Sequence, residues 1–234
     1  MIANKSILGV IPARGGSIGI PRKNITLLSG KPLIVWTIEE TSISKYIDRL
    51  IVSTDDDEII DIVQDINCEV PFKRPSELAQ DITSSIDVAL HAIDQCPGYD
   101  ILVYLQPTSP LRTVSDVDKC IEKLIRSKSN SCVSMCEPNE SPYLLYNIDD
   151  GNKLQPVFPE EAKTINKYRQ ACPVYMLNGA VFVAFIDWLK EYELFIGSDT
   201  VPYIMPPERS IDIDTPLDLV TAEILLTNRK STSG

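Results

Sequence analysis

Residues 7–24, ILGVIPARGGSIGIPRKN, indicate the fold class more strongly than any other part of the chain. The apolar run at 7–11 predicts a buried strand, and the glycines that follow predict a tight loop. Glycines let the backbone approach a ligand closely, so several N–H groups can converge on phosphate oxygens. Basic side chains around the loop would offset the phosphate charge; they are Arg14, Arg22 and Lys23. The stretch therefore predicts a nucleotide at the end of a parallel strand in an α/β protein.

This glycine loop does not match the common phosphate-binding motifs. No Gly-Lys-Ser/Thr follows at the P-loop spacing, and the dinucleotide fingerprint is a poor match. A purely structural turn between strand and helix therefore remains an alternative when the loop is taken by itself.

Strands and helices alternate along most of the chain. Strands are predicted near 7–11, 49–54, 69–72, within 100–112, and near 131–136, 178–185 and 201–205. Helices are predicted near 31–43, after a cap at Thr54 or Asp55, and near 84–95, 114–127, 186–193 and 215–228. This alternation predicts one α/β domain over residues 1–228, with a mostly parallel sheet flanked by helices on both faces. Residues 229–234 are expected to form a disordered tail.

The alternation is interrupted between residues 138 and 173. This segment is rich in Pro, Asn and Tyr, and it contains short extended pieces at 143–148 and 154–158 but no clear helix. We interpret it as a protruding, β-rich arm.

The charge balance restricts the binding partners. With 22 Lys and Arg against 33 Asp and Glu, the net charge is −11, which disfavours sequence-independent binding to a nucleic acid polymer or an anionic membrane. No apolar run approaches the roughly 20 residues that span a bilayer, and the N-terminus does not read as a signal peptide. The six cysteines are scattered through apolar surroundings and predict reduced, buried thiols in a cytoplasmic protein.

The stretch SIDIDTPLDL, residues 210–219, places two aspartates in alternation with isoleucines. In an extended strand, Asp212 and Asp214 point to one face while Ile211 and Ile213 are buried on the other. Two neighbouring carboxylates repel each other unless a cation lies between them, and hard oxygen ligands suit Mg²⁺ together with substrate phosphates. The alternative is that Asp214 or Thr215 caps a helix beginning at Pro216.

Other polar residues follow the predicted strands, where open α/β sheets bind ligands. Arg74 and Arg112 lie just past strand ends, and Gln106 and Ser85 could bond to sugar or base edges. Toward the end of the arm and just after it, the candidates for a carboxylate site are Arg169, Gln170 and Asn178. For each of these residues, surface solvation or loop bracing is an equal alternative.

The single histidine, His91, lies in an apolar stretch and is expected to pack rather than to catalyse. No thiol–histidine pair is evident, so covalent catalysis is not expected. The glycine loop and the aspartate pair instead favour displacement at phosphorus, with charge neutralised by Mg²⁺ and cations.

Seven motifs together resemble those of the acylneuraminate cytidylyltransferases, the CMP-sialic acid synthetases and their relatives for legionaminic and pseudaminic acids. In order, the motifs are IPARGGSIGIPRKN, STDDDEI, RPSELAQD, LQPTSPLR, YRQ, NGA and SIDIDTPLDL. The resemblance extends to about residue 228 and implies a Rossmann-like nucleotidyltransferase fold. It also implies a homodimer that uses Mg²⁺ to join CMP from CTP to the anomeric hydroxyl of a nine-carbon 2-keto sugar acid, releasing pyrophosphate.

The resemblance assigns roles by position. Residues implied to hold the nucleotide are Arg14, Gly15, Gly16, Ser17, Asn24, Arg74, Thr83 and Ser85. The flanking cations Arg22 and Lys23, predicted from the charge around the loop, are added to this nucleotide set. Residues implied to meet the sugar acid are Gln106, Arg169 and Asn178. Asp212 and Asp214 match the metal pair and, with Arg14, the catalytic residues. The 138–173 arm matches a dimerisation segment that reaches into the partner's site.

Two positions depart from the family. The glycine loop usually reads Ser-Lys-Gly, with the lysine on the phosphates, but Ile18 stands here. Either Arg22 or Lys23 compensates, or the protein is a catalytically impaired nucleotide-binding homologue. On the arm, Leu144 replaces a basic residue of the sialic acid enzymes, so the arm is more similar to relatives for legionaminic-type sugars. A third hypothesis is an interaction module that pairs through the arm.

Overall fold

A computed structural model describes residues 2–159 and 173–232. The described strands are β1 Ile7–Pro12, β2 Leu27–Leu28, β3 Lys31–Pro32, β4 Arg49–Ser53, β5 Ile101–Tyr104, β6 Ser131–Cys136, β7 Tyr146–Ile148, β8 Leu154–Pro156, β9 Met176–Phe185 and β10 Val201–Ile204. The described α-helices are α1 Leu33–Ser42, α2 Asp57–Asp65, α3 Ser85–Gln95, α4 Val114–Ser127, α5 Ile186–Tyr192 and α6 Pro216–Thr232.

A six-stranded sheet in the order β10-β6-β9-β5-β1-β4 forms the centre of the fold. Neighbouring strands are parallel except at β9, which runs antiparallel to both β5 and β6. The prediction of a mostly parallel sheet is confirmed. Because β9 is reversed, its first residues lie at the edge where the parallel strands end, and this edge carries the candidate site.

Helices cover both faces of the sheet, as predicted. Along β1, Ile7 and Ile11 belong to the cluster beneath α1, α2 and α4, whereas Leu8 and Val10 belong to the cluster beneath α3 and α5. This alternation follows from the two-residue period of a strand, since each strand must supply apolar side chains to two layers.

A third, smaller apolar cluster joins the two ends of the chain. Ile20 and Leu28, which follow the glycine loop, pack with Ile213 and with Ala222 and Leu226 of α6. Its burial fixes the C-terminal aspartate segment against the N-terminal loop.

The local start of α2 differs from the prediction. Its N-cap is Asp56, whose side chain accepts a hydrogen bond from the Ile59 N–H, and neither Thr54 nor Asp55 has that role. Asp55 instead accepts a hydrogen bond from the N–H of Gly15 at 3.1 Å. The cap was misplaced because Thr54, Asp55 and Asp56 all suit an N-cap, and only the contact with the glycine loop distinguishes them.

The strand predicted at 69–72 does not form. Glu69 and Lys73 make only isolated bridges, to Ile51 and Thr54. Pro71 lies between them and lacks the N–H that a continuous ladder needs.

The arm segment contains a separate two-stranded antiparallel sheet, in which β7 pairs with β8. Both strands lie within the extended pieces predicted from the sequence. Large apolar side chains are exposed on this sheet and on its neighbours in sequence; they include Leu144, Leu145, Tyr146, Ile148, Leu154 and Val157. Tyr175, Met176 and Leu177, just before and at the start of β9, are exposed as well. The remainder of the predicted arm, residues 160–172, lies outside the described residues.

The last helix extends beyond its predicted end. α6 continues to Thr232, so the tail expected from residue 229 is helical as far as that residue. One Arg229 Nη2–H donates to the Leu111 carbonyl at 2.8 Å, which attaches the last turns of α6 to the domain.

Five of the six cysteines lie among the described residues. Cys68, Cys96, Cys120, Cys132 and Cys136 are free thiols, and all but Cys68 are buried. Among the described residues, no helix combines the length and the apolar character that crossing a membrane would require.

Candidate active site

Two cavities, each of about 340 Å³, lie side by side at the edge where the parallel strands end. The first, here named the Arg74 cavity, is lined by residues that follow β1 and β5, by residues within 74–84 and by the first turn of α3. The second, the Asn178 cavity, is lined by the end of β6, the start of β9 and the segment after β10. Asp212 and Asp214 line both cavities and therefore lie between them.

The structure brings most of the predicted residues together. Those that line the Arg74 cavity are Arg14, Lys23, Asn24, Arg74, Thr83, Ser85, Gln106, Asp212 and Asp214. Asn178 lines the neighbouring cavity with the same two aspartates. Arg169 and Gln170 lie outside the described residues.

The glycine loop meets the C-terminal aspartate segment directly. Lys23 Nζ lies 2.8 Å from Asp214 Oδ1. A Cβ atom at Gly19 would overlap the backbone oxygen of Asp214, so only glycine permits this approach without displacement. The two stretches singled out from the sequence, although almost 200 residues apart, thus form one site.

Asn24, Ser17 and Gly15, which were predicted to hold the nucleotide, also make contacts that define the shape of the glycine loop. Asn24 Nδ2 donates to the Arg14 carbonyl at 2.9 Å, and the Ser17 hydroxyl donates to the Ile20 carbonyl. A Cβ atom at Gly15 would overlap Asp56, whereas one at Gly16 would meet no atom within 4 Å. Gly15, Gly16 and Ser17 are not among the described residues that line either cavity.

The three cations of the loop have different partners. Arg14 Nη2 lies 2.6 Å from Asp81 Oδ1, and both residues line the Arg74 cavity. Arg22 points away, because its guanidinium bonds to Asp56 and Glu58 on α2. The hydrogen bond with Asp56 raises the pKa of Arg22 above its ordinary value. Arg22 is therefore not available in this arrangement to replace the family's loop lysine.

Arg74 is a buried cation with unused donors. It is 4% exposed, and neither its Nε nor its Nη2 has a hydrogen-bond partner among the described residues. Asp55 Oδ1 is 3.6 Å from Nη2, beyond hydrogen-bond distance. Burial lowers the pKa of Arg74. Since unpaired buried donors are costly, this side chain is suited to an acceptor-rich ligand in the cavity that it lines.

Arg112, in contrast, braces a loop. It is 1% exposed, and it donates to the carbonyls of Gln106 at 3.2 Å and Ala180 at 2.7 Å and to the Thr37 hydroxyl at 2.7 Å. Of the two roles considered for Arg112, loop bracing is therefore correct. Its bond to the Gln106 carbonyl fixes the residue whose side chain faces the cavity.

Asp212 combines partial burial with an unsatisfied oxygen. Its Oδ1 has no hydrogen-bond partner among the described residues. Burial raises the pKa of Asp212, and the negative charge of Asp214 adds to the effect. A cation at this carboxylate would satisfy the free oxygen and relieve the repulsion.

The helix-cap alternative is correct for Thr215 and not for Asp214. Thr215 and Asp218 exchange hydrogen bonds across the first turn of α6, which begins at Pro216. The carboxylate of Asp214 remains outside this cap and pairs with Lys23 instead. The cap and the predicted metal pair can therefore coexist.

Asn178 is held within a buried hydrogen-bond network. Its Oδ1 accepts from the Ser134 hydroxyl at 2.6 Å, and its Nδ2 donates to the Ser210 hydroxyl at 2.9 Å. The network links β6 to the segment that carries Asp212. Asn178 was predicted to meet the sugar acid; the structure gives its amide bracing contacts beside that cavity. Neither Ser134 nor Ser210 was assigned a role from the sequence, although Ser210 begins the 210–219 stretch, because a serine hydroxyl gives no sequence signal of its hydrogen-bond partner.

Three further positions discussed from the sequence are His91, Ile18 and Leu144. His91 packs edge-on against Phe72, with ring centroids 5.0 Å apart, as expected of a packing residue. Ile18 is 80% exposed at the tip of the glycine loop, and Leu144 is exposed on the arm.

Comparisons with known proteins agree with the geometry. The family model for cytidylyltransferases matches residues 8–181. The chain is 33% identical to CMP-N,N'-diacetyllegionaminic acid synthase from Legionella pneumophila, covering 94% of this chain and 96% of that protein. It is 31% identical to a pseudaminic acid cytidylyltransferase from Campylobacter jejuni, covering 93% and 95%. It is 32% identical to N-acylneuraminate cytidylyltransferase from Escherichia coli over 92% of this chain, which spans about half (51%) of that relative.

Solved structures show the same fold. A structure of CMP:2-keto-3-deoxy-manno-octonic acid synthetase complexed with CTP aligns with a TM-score of 0.72 at 18% identity, covering 96% of this chain and 99% of that one. A 4-diphosphocytidyl-2C-methyl-D-erythritol synthase from Anaerococcus prevotii aligns with a TM-score of 0.66 at 15% identity, covering 95% and 96%. At these identities the likeness shows the fold alone.

The contact between Gly19 and Asp214 is tested by Gly19→Ala. The added methyl group would press on a backbone oxygen, so we expect the free energy of unfolding to fall by about 1–3 kcal/mol. Gly16→Ala is the matched control, since its methyl group meets no neighbour within 4 Å. Thermal denaturation of both variants measures the effect, and equal melting temperatures would contradict the close approach.

Proposed function

Since this chain belongs to the cytidylyltransferase family, we propose that it transfers CMP from CTP to the anomeric hydroxyl of a nine-carbon 2-keto sugar acid and releases pyrophosphate. The relatives named for legionaminic, pseudaminic and acylneuraminic acids support this substrate class. The observation that carries the proposal is the position of Asp212 and Asp214 between two adjacent cavities. Two substrates placed in these cavities would meet at the aspartate pair.

The Arg74 cavity suits the nucleotide. Arg14 and Lys23 bring positive charge from the glycine loop, and Arg74 offers unused buried donors. The first turn of α3, with Ser85, adds a helix N-terminus that favours negative charge. Arg14 pairs with Asp81, and Lys23 pairs with Asp214. Nucleotide binding would exchange these carboxylates for phosphate oxygens.

The residues present also suit Mg²⁺. The free Oδ1 of Asp212 and the exposed carboxylate of Asp214 are hard oxygen ligands. Within the described part of the chain, no group of three or more His, Cys, Asp or Glu could hold a metal ion. A Mg²⁺ ion would therefore complete its shell with substrate oxygens and water, as it commonly does. When bound, it would neutralise charge on the nucleotide phosphates.

The proposed reaction is a single displacement. The oxygen of the anomeric hydroxyl attacks the α-phosphorus, a new P–O bond forms, and the bond to pyrophosphate breaks. The hydroxyl proton passes to a carboxylate oxygen of the aspartate pair. Arg14 and Lys23 stabilise the charge that develops on the departing phosphates.

Lys23 also addresses the substitution at Ile18. The lysine lines the Arg74 cavity, whereas Arg22 is occupied by α2. Lys23 is therefore the residue we propose as the compensating cation. The alternative, a catalytically impaired homologue, has no support from the comparisons, in which the relatives are named as synthases and transferases.

The Asn178 cavity is deficient in positive charge. Its described lining includes four carboxylates, those of Glu137, Asp212, Asp214 and Asp218, and neither Lys nor Arg. A sugar acid carries a carboxylate that needs a cation nearby. We propose that Arg169 supplies this cation and that the protein is a homodimer in which the arm of one subunit completes the site of its partner. The exposed apolar side chains of the arm support pairing through this surface.

The function is tested with a substrate matrix. The protein is incubated with Mg²⁺, with each nucleoside triphosphate, and with sialic, legionaminic or pseudaminic acid. We expect pyrophosphate and a CMP-sugar only with CTP and at least one of the three acids. Absence of pyrophosphate release in every combination would contradict the proposal.

The aspartate pair is tested by Asp212→Asn and Asp214→Asn. Each change removes a charge at nearly constant shape, so we expect kcat to fall by about 10²–10³-fold while the melting temperature changes little. Asp61→Asn, on an exposed position of α2, is the control for the charge change alone. Near-normal turnover in both site variants would remove the metal assignment.

The pairing of Arg14 with Asp81 predicts an unusual gain of affinity. An exposed ion pair contributes about 0.2–1 kcal/mol, so Asp81→Asn should free Arg14 and tighten CTP binding by up to about fivefold. Glu77→Gln removes the same charge from the same segment without a bond to Arg14 and should leave affinity unchanged. Calorimetry without metal measures both. Weaker binding by Asp81→Asn would indicate that Asp81 itself contacts the nucleotide.

The shared site is tested by dilution. If the partner's arm completes each site, specific activity should fall as the protein is diluted through its dimer dissociation constant, while CTP binding persists. Light scattering follows the oligomeric state over the same range. Constant specific activity in samples shown to be monomeric would refute the shared site.

A further inference from the structure

One buried carboxylate contacts both segments that form the aspartate side of the site. Asp116 is the third residue of α4 and is 1% exposed. From the preceding loop it accepts hydrogen bonds from the N–H of Thr113 at 3.0 Å and the Thr113 hydroxyl at 2.7 Å. From the segment after β10 it accepts from Arg209 Nε at 2.9 Å and Arg209 Nη2 at 2.8 Å. The Tyr203 hydroxyl completes its shell at 3.1 Å.

These two segments also touch each other at the site. The loop that ends at Thr113 carries Gln106 and Thr108, and the segment that begins at Arg209 leads into Asp212. The Ile213 N–H donates to the Thr108 carbonyl at 2.8 Å, and Thr108 and Asp212 line the same cavity. Asp116, which is not among the described lining residues of either cavity, therefore links the same two segments that contact each other through Thr108 and Ile213.

We propose that Asp116 and Arg209 are a positioning pair for the carboxylate of Asp212. The inference rests on the proposed function, because it assigns the pair a role in placing a metal-binding carboxylate. Arg209 is three residues before Asp212, so no more than about 10 Å of extended chain separates them. Because this connection is short, a rotation of the Arg209 guanidinium would also shift the position of Asp212.

The two-pronged geometry is what makes this pair suited to positioning. Two parallel N–H···O bonds fix the angle of a guanidinium as well as its distance, which a lysine ammonium cannot do. A buried ion pair also adds little net stability compared with apolar packing. We therefore expect a change in the geometry of the Asp116–Arg209 pair to displace Asp212 more than a comparable change in an ion pair elsewhere.

Arg209→Lys is the main test, because it keeps the charge and removes the fork. We expect kcat to fall about 10-fold and the affinity for Mn²⁺, measured by electron paramagnetic resonance with a non-hydrolysable CTP analogue, to weaken about 10-fold. The affinity for CTP without metal should change by less than about twofold, since the Arg74 cavity is untouched. This separation of metal binding from nucleotide binding would not arise from a general loss of stability.

The matched control is Arg49→Lys. Arg49 bonds through Nε at 3.0 Å and Nη2 at 2.7 Å to Glu69, and it lies at the start of β4, at the opposite end of the strands from the site. We expect it to leave kcat and Mn²⁺ affinity unchanged. If both lysine variants lower only the melting temperature, or if both lower Mn²⁺ affinity equally, the positioning role is wrong.

A second variant covers the case in which Arg209→Lys does not fold. Asp116→Asn combined with Arg209→Gln replaces the ion pair by neutral hydrogen-bonding groups of similar shape and avoids an unpaired buried charge. The same separation between Mn²⁺ and CTP affinities is expected, and its absence in a folded protein overturns the inference. Failure of the proposed function is distinguishable, because the unaltered protein would then bind neither CTP nor Mn²⁺ with the analogue.

Discussion

The contact between the glycine loop and the C-terminal aspartate segment is the constraint on which the site depends. Lys23 pairs with Asp214, and Ile20 packs with Ile213 in the apolar cluster beneath α6. The ion pair alone would add little, because Asp214 is largely exposed. Burial of the isoleucines supplies the non-directional attraction, and the missing side chain at Gly19 allows the two backbones to approach. Without this contact the aspartates would lie apart from the residues that surround the Arg74 cavity.

The reversed strand β9 explains why two cavities occur at one edge. In a purely parallel sheet, the chain would reach this edge at the end of β6 and would have to cross to the opposite edge before the next strand began. Because β9 is antiparallel, its first residues, with Asn178 and Gly179, lie beside the ends of β5 and β6. A Cβ atom at Gly179, where φ is +70°, would overlap the side-chain oxygen of Gln106. In the NGA motif, the Asn178 amide therefore braces the neighbouring segments, and the absent side chain of Gly179 leaves room for Gln106.

Much of this arrangement could be predicted from the sequence, because the signals are local. The period of apolar residues predicted the bounds of α4 and β6 as observed, and the alternation in SIDID predicted that Asp212 and Asp214 share a face. The errors have a common cause. Thr54, Asp55 and Asp56 are equally good caps until the position of α2 is known. The same position also decides which of the neighbouring cations Arg22 and Lys23 lines the Arg74 cavity. Arg112 likewise follows a strand end just as a ligand-binding arginine does, and only its buried carbonyl partners reveal its role.

The two walls of the Arg74 cavity differ in how firmly they are held, because the carbonyl partners of Arg112 hold only one of them. The wall formed by residues 105–113 is fastened to the core from behind, since the Arg112 guanidinium reaches Gln106, Ala180 and Thr37. The facing wall, residues 76–83, has no regular structure beyond one short 3₁₀ turn, and its Ile82 side chain is 90% exposed. With the nucleotide in this cavity, as proposed, adjustment to the size of its base would come from the second wall. Attempts to broaden the range of accepted bases would gain more from redesigning residues 76–83 than from altering the fastened loop.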